Sequence, residues 1–153
     1  MDTSRNAVVE EFVERLGLIA ESDGLPRIAG RIMGLMIIDG GPLSFAELAG
    51  KLAVSRASIS TNTRFLEHLG VIERVAQRGE RQDYFQLATA PYVRLLQGSV
   101  DRAAKAHGVV ADARDQLSVK DEGARRRLDE LGAFYEELGN SFRDLAKRFS
   151  RED

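Results

Sequence analysis

The chain has no cysteine and no tryptophan, and only three prolines and three tyrosines among its 153 residues. Without cysteine there can be no disulfide framework, no thiolate metal site and no cysteine nucleophile. The two histidines, His68 and His107, stand far apart and without ligand-type company, so both read as helix-face residues rather than metal ligands. Long hydrophobic runs are lacking as well. No stretch approaches the roughly 18 apolar residues that span a bilayer, and the opening M-D-T-S-R-N has no signal-peptide core, so a cytoplasmic protein with no membrane partner is expected. An excess of one charge is also absent. A net charge of −2 and a pI near 5.8 argue against a protein that coats nucleic acid by bulk charge. No nucleophile with a base partner, phosphate loop or metal cluster stands out, so neither an enzyme nor a cofactor is expected.

A hydrophobic fraction of 43% can support a core, and the most organised stretch runs from Ser44 to Leu69. Ser44 followed by Glu47 is a capping-box start, because each side chain can satisfy a backbone N–H that the first helical turn leaves unpaired. Ala46, Leu48, Ala49 and Leu52 supply a small apolar face, Ala53 and Val54 form a turn, and Ser55 is the N-cap of a second helix ending at Gly70. In that helix Ile59, Leu66 and Leu69 point inward, while Arg56, Ser58, Ser60, Thr61 and Arg64 lie elsewhere on the cylinder. Small hydroxyls that allow close approach, with arginines able to pair guanine or hold phosphate, suit a major groove. This is a helix-turn-helix pattern, although a solvent-exposed helical hairpin would show a similar polar face.

Val71, Ile72 and Val75 form one short strand and Asp83 to Leu87 another, with a glycine-containing tip at 76–82 that carries Arg78 and Arg81. A recognition-type helix followed by a basic hairpin is the order of a winged helix. Its wing arginines could enter a minor groove or serve only solubility. Between Ser44 and Leu87 the cations are Lys51, Arg56, Arg64, Arg74, Arg78 and Arg81, nearly balanced by Glu47, Glu67, Glu73, Glu80 and Asp83. Any basic patch must therefore be made by placement.

Four motifs in order, G-L-P-R-I-A-G-R-I from Gly24, L-A-V-S-R-A-S-I-S-T-N from Leu52, L-G-V-I-E-R-V from Leu69 and R-G-E-R-Q-D-Y-F from Arg78, resemble the GbsR branch of the MarR-like transcriptional regulators. The resemblance covers most of the chain from Phe12 to Leu87. It implies a dimeric winged-helix repressor of double-stranded DNA, sometimes with a small-molecule inducer. Thr63 departs from it, standing where a larger aliphatic residue is usual, and Glu80 stands where the wing often has aspartate. A choline-type effector would need an aromatic cage, for which Tyr84, Tyr92 and Tyr135 offer little.

Upstream, Val8 or Val9, Phe12, Val13, Leu16 and Ile19 recur at helical spacing, and Gly24 and Pro26 separate this helix from the next. In the second, Ile28, Ile32, Leu35 and Met36 form a stripe, and Gly30 and Gly34 leave a groove for a close helix. Downstream, Pro91 opens a long helix with Val93, Leu96, Val100, Ala103, His107, Val110 and Leu117 in an approximate three-four repeat that Arg114 interrupts. A loop is expected near Ser118 to Gly123. In the last helix Leu128, Leu131, Tyr135, Leu138, Phe142, Leu145 and Phe149 form an a/d seam. That seam could close an intramolecular hairpin or pair between chains.

The expectation is thus a mainly α fold with a small β-hairpin wing: an N-terminal helical arm at 1–25, a winged helix-turn-helix domain at 26–90 and a helical dimerisation region at 91–153. Ser55, Arg56, Ser58, Ser60, Thr61, Arg64, Arg78 and Arg81 are the expected DNA contacts, and Phe12 joins the seam residues in a homodimer on a near-palindromic operator. A protein-interaction module without DNA affinity is the alternative.

Overall fold

The computed structural model describes residues 2–151. The fold is mainly helical with one small antiparallel sheet, a winged helix carrying helices on both sides in sequence. The helices are α1 (Thr3–Ser22), α2 (Arg27–Asp39), α3 (Phe45–Leu52), α4 (Arg56–Leu69), α5 (Pro91–Gln116) and α6 (Glu122–Arg151), and the strands are β1 (Leu43–Ser44), β2 (Ile72–Val75) and β3 (Tyr84–Leu87). The described residues up to Pro91 form one compact unit and those from Tyr92 onward a second. Among the described residues, no helix is long and apolar enough to cross a membrane.

In the first unit the core is built from large side chains. Ile32 and Met36 of α2, Leu48 of α3, Ile59 of α4 and Phe85 of β3 are fully buried, joined by Leu35, Leu43, Leu52, Leu66, Val71 and Ile72. The sheet order is β1-β3-β2, with Leu43 opposite Phe85 and Arg74 opposite Phe85 on the other edge. Strand β1 was not expected: it is two residues long and exists only by pairing with a strand some forty positions away, an interaction no local pattern records. The face expected of α3 also needs correcting, since Ala46 is exposed while Leu48 and Leu52 are buried.

Helix α1 lies against α2 at the glycine groove. A Cβ on Gly30 would fall 2.6 Å from the Ala20 Cβ and 2.9 Å from the Gly17 Cα, and one on Gly34 would fall 3.2 Å from the Val13 Cα. The face of α1 that packs is therefore Val13, Gly17 and Ala20, whereas Val8, Leu18 and Ile19 remain exposed and Phe12 half-buried.

The second unit is an antiparallel pair of helices. A Cβ on Gly139 would stand 3.6 Å from the Ala103 Cβ, and one on Gly132 would stand 3.6 Å from Val110. Nearer the loop, Arg114 donates to Asp129 at 2.6 Å, and Arg125 donates to the Arg114 and Leu117 carbonyls at 3.1 and 3.0 Å. Arg114, which breaks the apolar stripe of α5, is thus a cross-helix partner. His107, on the same stripe, is exposed.

Candidate nucleic-acid interface

The helix-turn-helix begins with a complete capping box: the Glu47 amide donates to Ser44 Oγ at 3.0 Å and the Ser44 amide to Glu47 Oε2 at 3.1 Å. Helix α3 closes at Ala53, held in the left-handed region at φ 53°, and the chain re-enters a helix at Ser55. The Ser58 amide donates to Ser55 Oγ at 3.1 Å, and the Ser55 hydroxyl donates onward to Ser58 Oγ at 3.0 Å. Ser55 is therefore a cap.

Helix α4 buries Ile59 and Leu66 and, less predictably, Asn62 and Thr63. The Thr63 hydroxyl donates to the Ile59 carbonyl at 2.7 Å, which meets its hydrogen-bonding need inside the core and explains how a hydroxyl can sit where an aliphatic side chain is usual. Asn62 donates to the Ser58 carbonyl at 2.8 Å, and its Oδ1 has no partner among the described residues.

On the other side Arg56, Thr61 and Arg64 are exposed, while Ser58 and Ser60 are half-buried. Arg64 donates to Ser60 Oγ at 3.0 Å, and the Arg56 guanidinium lies 6.0 Å from the centroid of the Phe45 ring. Neither interaction neutralises charge, so both arginines remain available to an anion.

Wing strands β2 and β3 run from Ile72 opposite Leu87 to Val75 opposite Tyr84. Arg74 braces the base of the wing: it donates to Asp83 at 2.9 Å and to Glu67 of α4 at 3.1 Å, and lies 5.3 Å from the Phe85 ring centroid. It is one of the cations counted in this segment, but its charge is consumed internally. Lys51 is likewise engaged, 3.4 Å from Asp39. At the tip, Arg78 and Arg81 are exposed and have no acidic partner among the described residues, with Gly79 at φ 84° turning the chain between them. The near-balance of charge in the sequence therefore resolves into two parts, with Lys51 and Arg74 spent on acids and Arg56, Arg64, Arg78 and Arg81 left open.

The expected dimerisation residues divide differently. On α6 the small residues Gly139 and Ala146 are buried, while Leu128, Tyr135, Leu138, Phe142 and Leu145 are only half-buried. Leu131 and Phe149 are each 41% exposed and Phe134 58%. Phe134 packs edge-on against Tyr135 with centroids 5.5 Å apart.

A capped two-helix turn followed by a braced β-wing, with the unpaired cations on the second helix and wing tip, defines a winged helix-turn-helix protein. No family model matches the chain. It is 35% identical over 151 residues to the HTH-type transcriptional regulator MmpR5 of Mycobacterium tuberculosis, covering 94% of this chain and 87% of that protein. A crystal structure of a transcriptional regulator superposes with a TM-score of 0.84 at 33% identity, over 94% of this chain and 98% of the other. The putative HTH-type transcriptional regulator YvaV of Bacillus subtilis is 24% identical over 78 residues, 51% of this chain and 44% of its own. The chain belongs to the HTH-type transcriptional regulators, a DNA-binding class.

Proposed function

We propose that this protein is a homodimeric repressor that reads a near-palindromic operator in double-stranded DNA. Ser58, Ser60, Thr61, Arg56 and Arg64 of α4 enter the major groove, Ser55 acts first as cap and then as contact, and Arg78 and Arg81 reach the flanking backbone or minor groove. The observation that carries this reading is the selective freeing of charge: Lys51 and Arg74, away from the outward face of α4 and the wing tip, are paired to acids, and the arginines on that surface are not. The half-open stripe of α6 and the uncovered face of α1 support a dimer through Phe12 and the α6 seam residues. The four-motif likeness to the GbsR branch favours that branch, and adds release by a small-molecule effector of unassigned class.

Selection of operators from random DNA by the purified protein tests the reading directly. The selected sites should be near-palindromic, and affinity should fall steeply with salt as condensed counterions are released. Arg64→Ala or Arg56→Ala should cost roughly 1–3 kcal/mol on the selected site and relax preference at one position. Arg78→Ala or Arg81→Ala should lower the salt slope by about one for each phosphate that the arginine had neutralised. Failure to enrich any sequence, with no salt-dependent binding, would instead make the winged helix a protein-docking module.

A further inference from the structure

Arg31 of α2 sits where three helices meet. Its Nη2 donates to the Leu52 carbonyl at 3.0 Å, and its Nε lies 2.7 Å from Glu14 Oε1 of α1, an ion pair whose N–H points off the line to the oxygen. The other carboxylate oxygen of Glu14 is 3.5 Å from Arg27 Nη2, so two arginines of α2 hold one acid of α1. The Arg31 side chain is 19% exposed and crosses α1 over Gly17, where a Cβ would come within 2.7 Å of its Cγ. Leu52 is the last residue of α3, and a terminal helical carbonyl has no partner within its own helix. A guanidinium there satisfies that carbonyl and complements the negative end of the helix dipole. The next residues, Ala53 and Val54, are the turn that aims α4, and their amides donate back to Ala49 and Gly50.

We propose that Arg31, oriented by Glu14, is a positioning residue for DNA recognition: it braces the helix-turn-helix turn from α1, so that the aim of α4 depends on α1 being seated. This rests on the DNA-binding reading above but touches none of the residues proposed to meet DNA. A planar guanidinium can serve a carbonyl and a carboxylate at once, whereas an ammonium at the end of a lysine chain satisfies one at the expense of the other.

The test uses the full-length protein with Arg31→Ala, Arg31→Lys and Glu14→Gln, read by residue-resolved amide exchange without DNA and by binding to a selected operator. Arg31→Ala should speed exchange at Ala53 and Val54 by about tenfold, the scale of one charge-assisted hydrogen bond, while β2 and β3 keep their protection. Operator affinity should fall by about tenfold with the salt slope unchanged, because every phosphate keeps its cation. Arg31→Lys should recover part of both effects, and Glu14→Gln, the milder variant should Arg31→Ala fail to fold, should shift both in the same direction. Unchanged exchange at the turn, exchange that quickens equally throughout the unit, or weakened affinity with a lowered salt slope would each overturn the proposal. Should no operator be found for the unmodified protein, the DNA-binding reading falls, and the exchange comparison still decides whether the brace exists.

Discussion

The two compact units of this chain bury opposite kinds of residue. In the first, the fully buried side chains are among the largest in the sequence, Phe85, Ile32, Met36, Leu48 and Ile59, drawn from three helices and a strand. In the second, the buried residues are Ala103, Val110, Gly139 and Ala146, and the large apolar side chains lie partly or wholly outside. Burying a Leu or Phe is worth roughly 1.5–3 kcal/mol, an alanine far less, so among the described residues the first unit holds a large hydrophobic core and the second only a slight one. A helical pair that seals its closest approach with small residues while leaving Leu131, Phe134 and Phe149 open needs apolar surface from elsewhere. This contrast supports the proposed homodimer, in which a second copy of the chain would cover that surface.

The sharpest way to break the comparison is to spoil the half-open stripe alone. Leu138→Glu with Phe142→Glu should weaken self-association by roughly a hundredfold or more, about 3 kcal/mol, if the stripe is buried between chains. Sedimentation should then show a monomer without tight operator affinity, while the first unit still melts cooperatively. A variant that stays dimeric and only loses thermal stability would place the dimer interface elsewhere, most plainly on the Phe12 face of α1.

Truncation should separate the units next. Ile59→Ala, at a site with no exposure, should destabilise the first unit by roughly 2–5 kcal/mol through forfeited transfer energy plus a cavity. Leu131→Ala, at a site 41% exposed, should change the monomer by no more than about 0.5 kcal/mol and act mainly on association. Denaturant melts across a concentration series distinguish the two.

Glycine sharpens the comparison further. Gly30→Ala drives a Cβ to 2.8 Å from the Leu16 carbonyl oxygen, with backbone on the far side that cannot yield, and should cost about 1–3 kcal/mol. Gly139→Ala meets only an ordinary 3.6 Å approach to the Ala103 Cβ and gains helix propensity, so it should be neutral or stabilise by up to about 1 kcal/mol. The same change in two helices should thus differ in sign.

How far the sequence could foretell all this follows the range of each interaction. The Ser44–Glu47 box, the Ser55 cap and the Gly70 terminus rest on partners within four residues, so they were legible in the local pattern. The groove at Gly30 and Gly34 was visible, as were Val13 and Leu16 that pack at Gly34, but Gly17 and Ala20 opposite Gly30 were not. Periodicity weights large residues, and the junction is made by Gly17 and Ala20, which allow the closest approach. The same bias hid Gly139 and Ala146 behind the leucine seam of α6. Pairing between separate elements left no signal in the local pattern: β1 with β3, Arg31 with Leu52, and Arg74 with both Glu67 and Asp83. The last of these matters most to the candidate interface, since it separates a structural arginine from the recognition arginines beside it.

The smallest expected effect lies at the loop end of the helical pair. There the hydrogen bond from Arg114, aided by the charges of Arg114 and Arg125 and opposed by partial desolvation, holds the Asp129 carboxyl below its ordinary value. The same bond pushes Arg114 upward. A carboxyl whose value is depressed by folding binds fewer protons folded than unfolded, so stability rises with pH across the gap. The contribution is fully present above the ordinary carboxylate value of 3.8 and is lost as pH falls through the depressed one. Both groups are open to solvent, which keeps the contribution small. The informative quantity is the difference between the unmodified protein and Asp129→Asn, which isolates this one carboxyl. The two melting midpoints should differ slightly at neutral pH and converge as pH drops below 3.8. A gap that stays constant through that range would mean that Asp129 acts as a hydrogen-bond acceptor alone, with the charge of the pair contributing nothing to the hairpin.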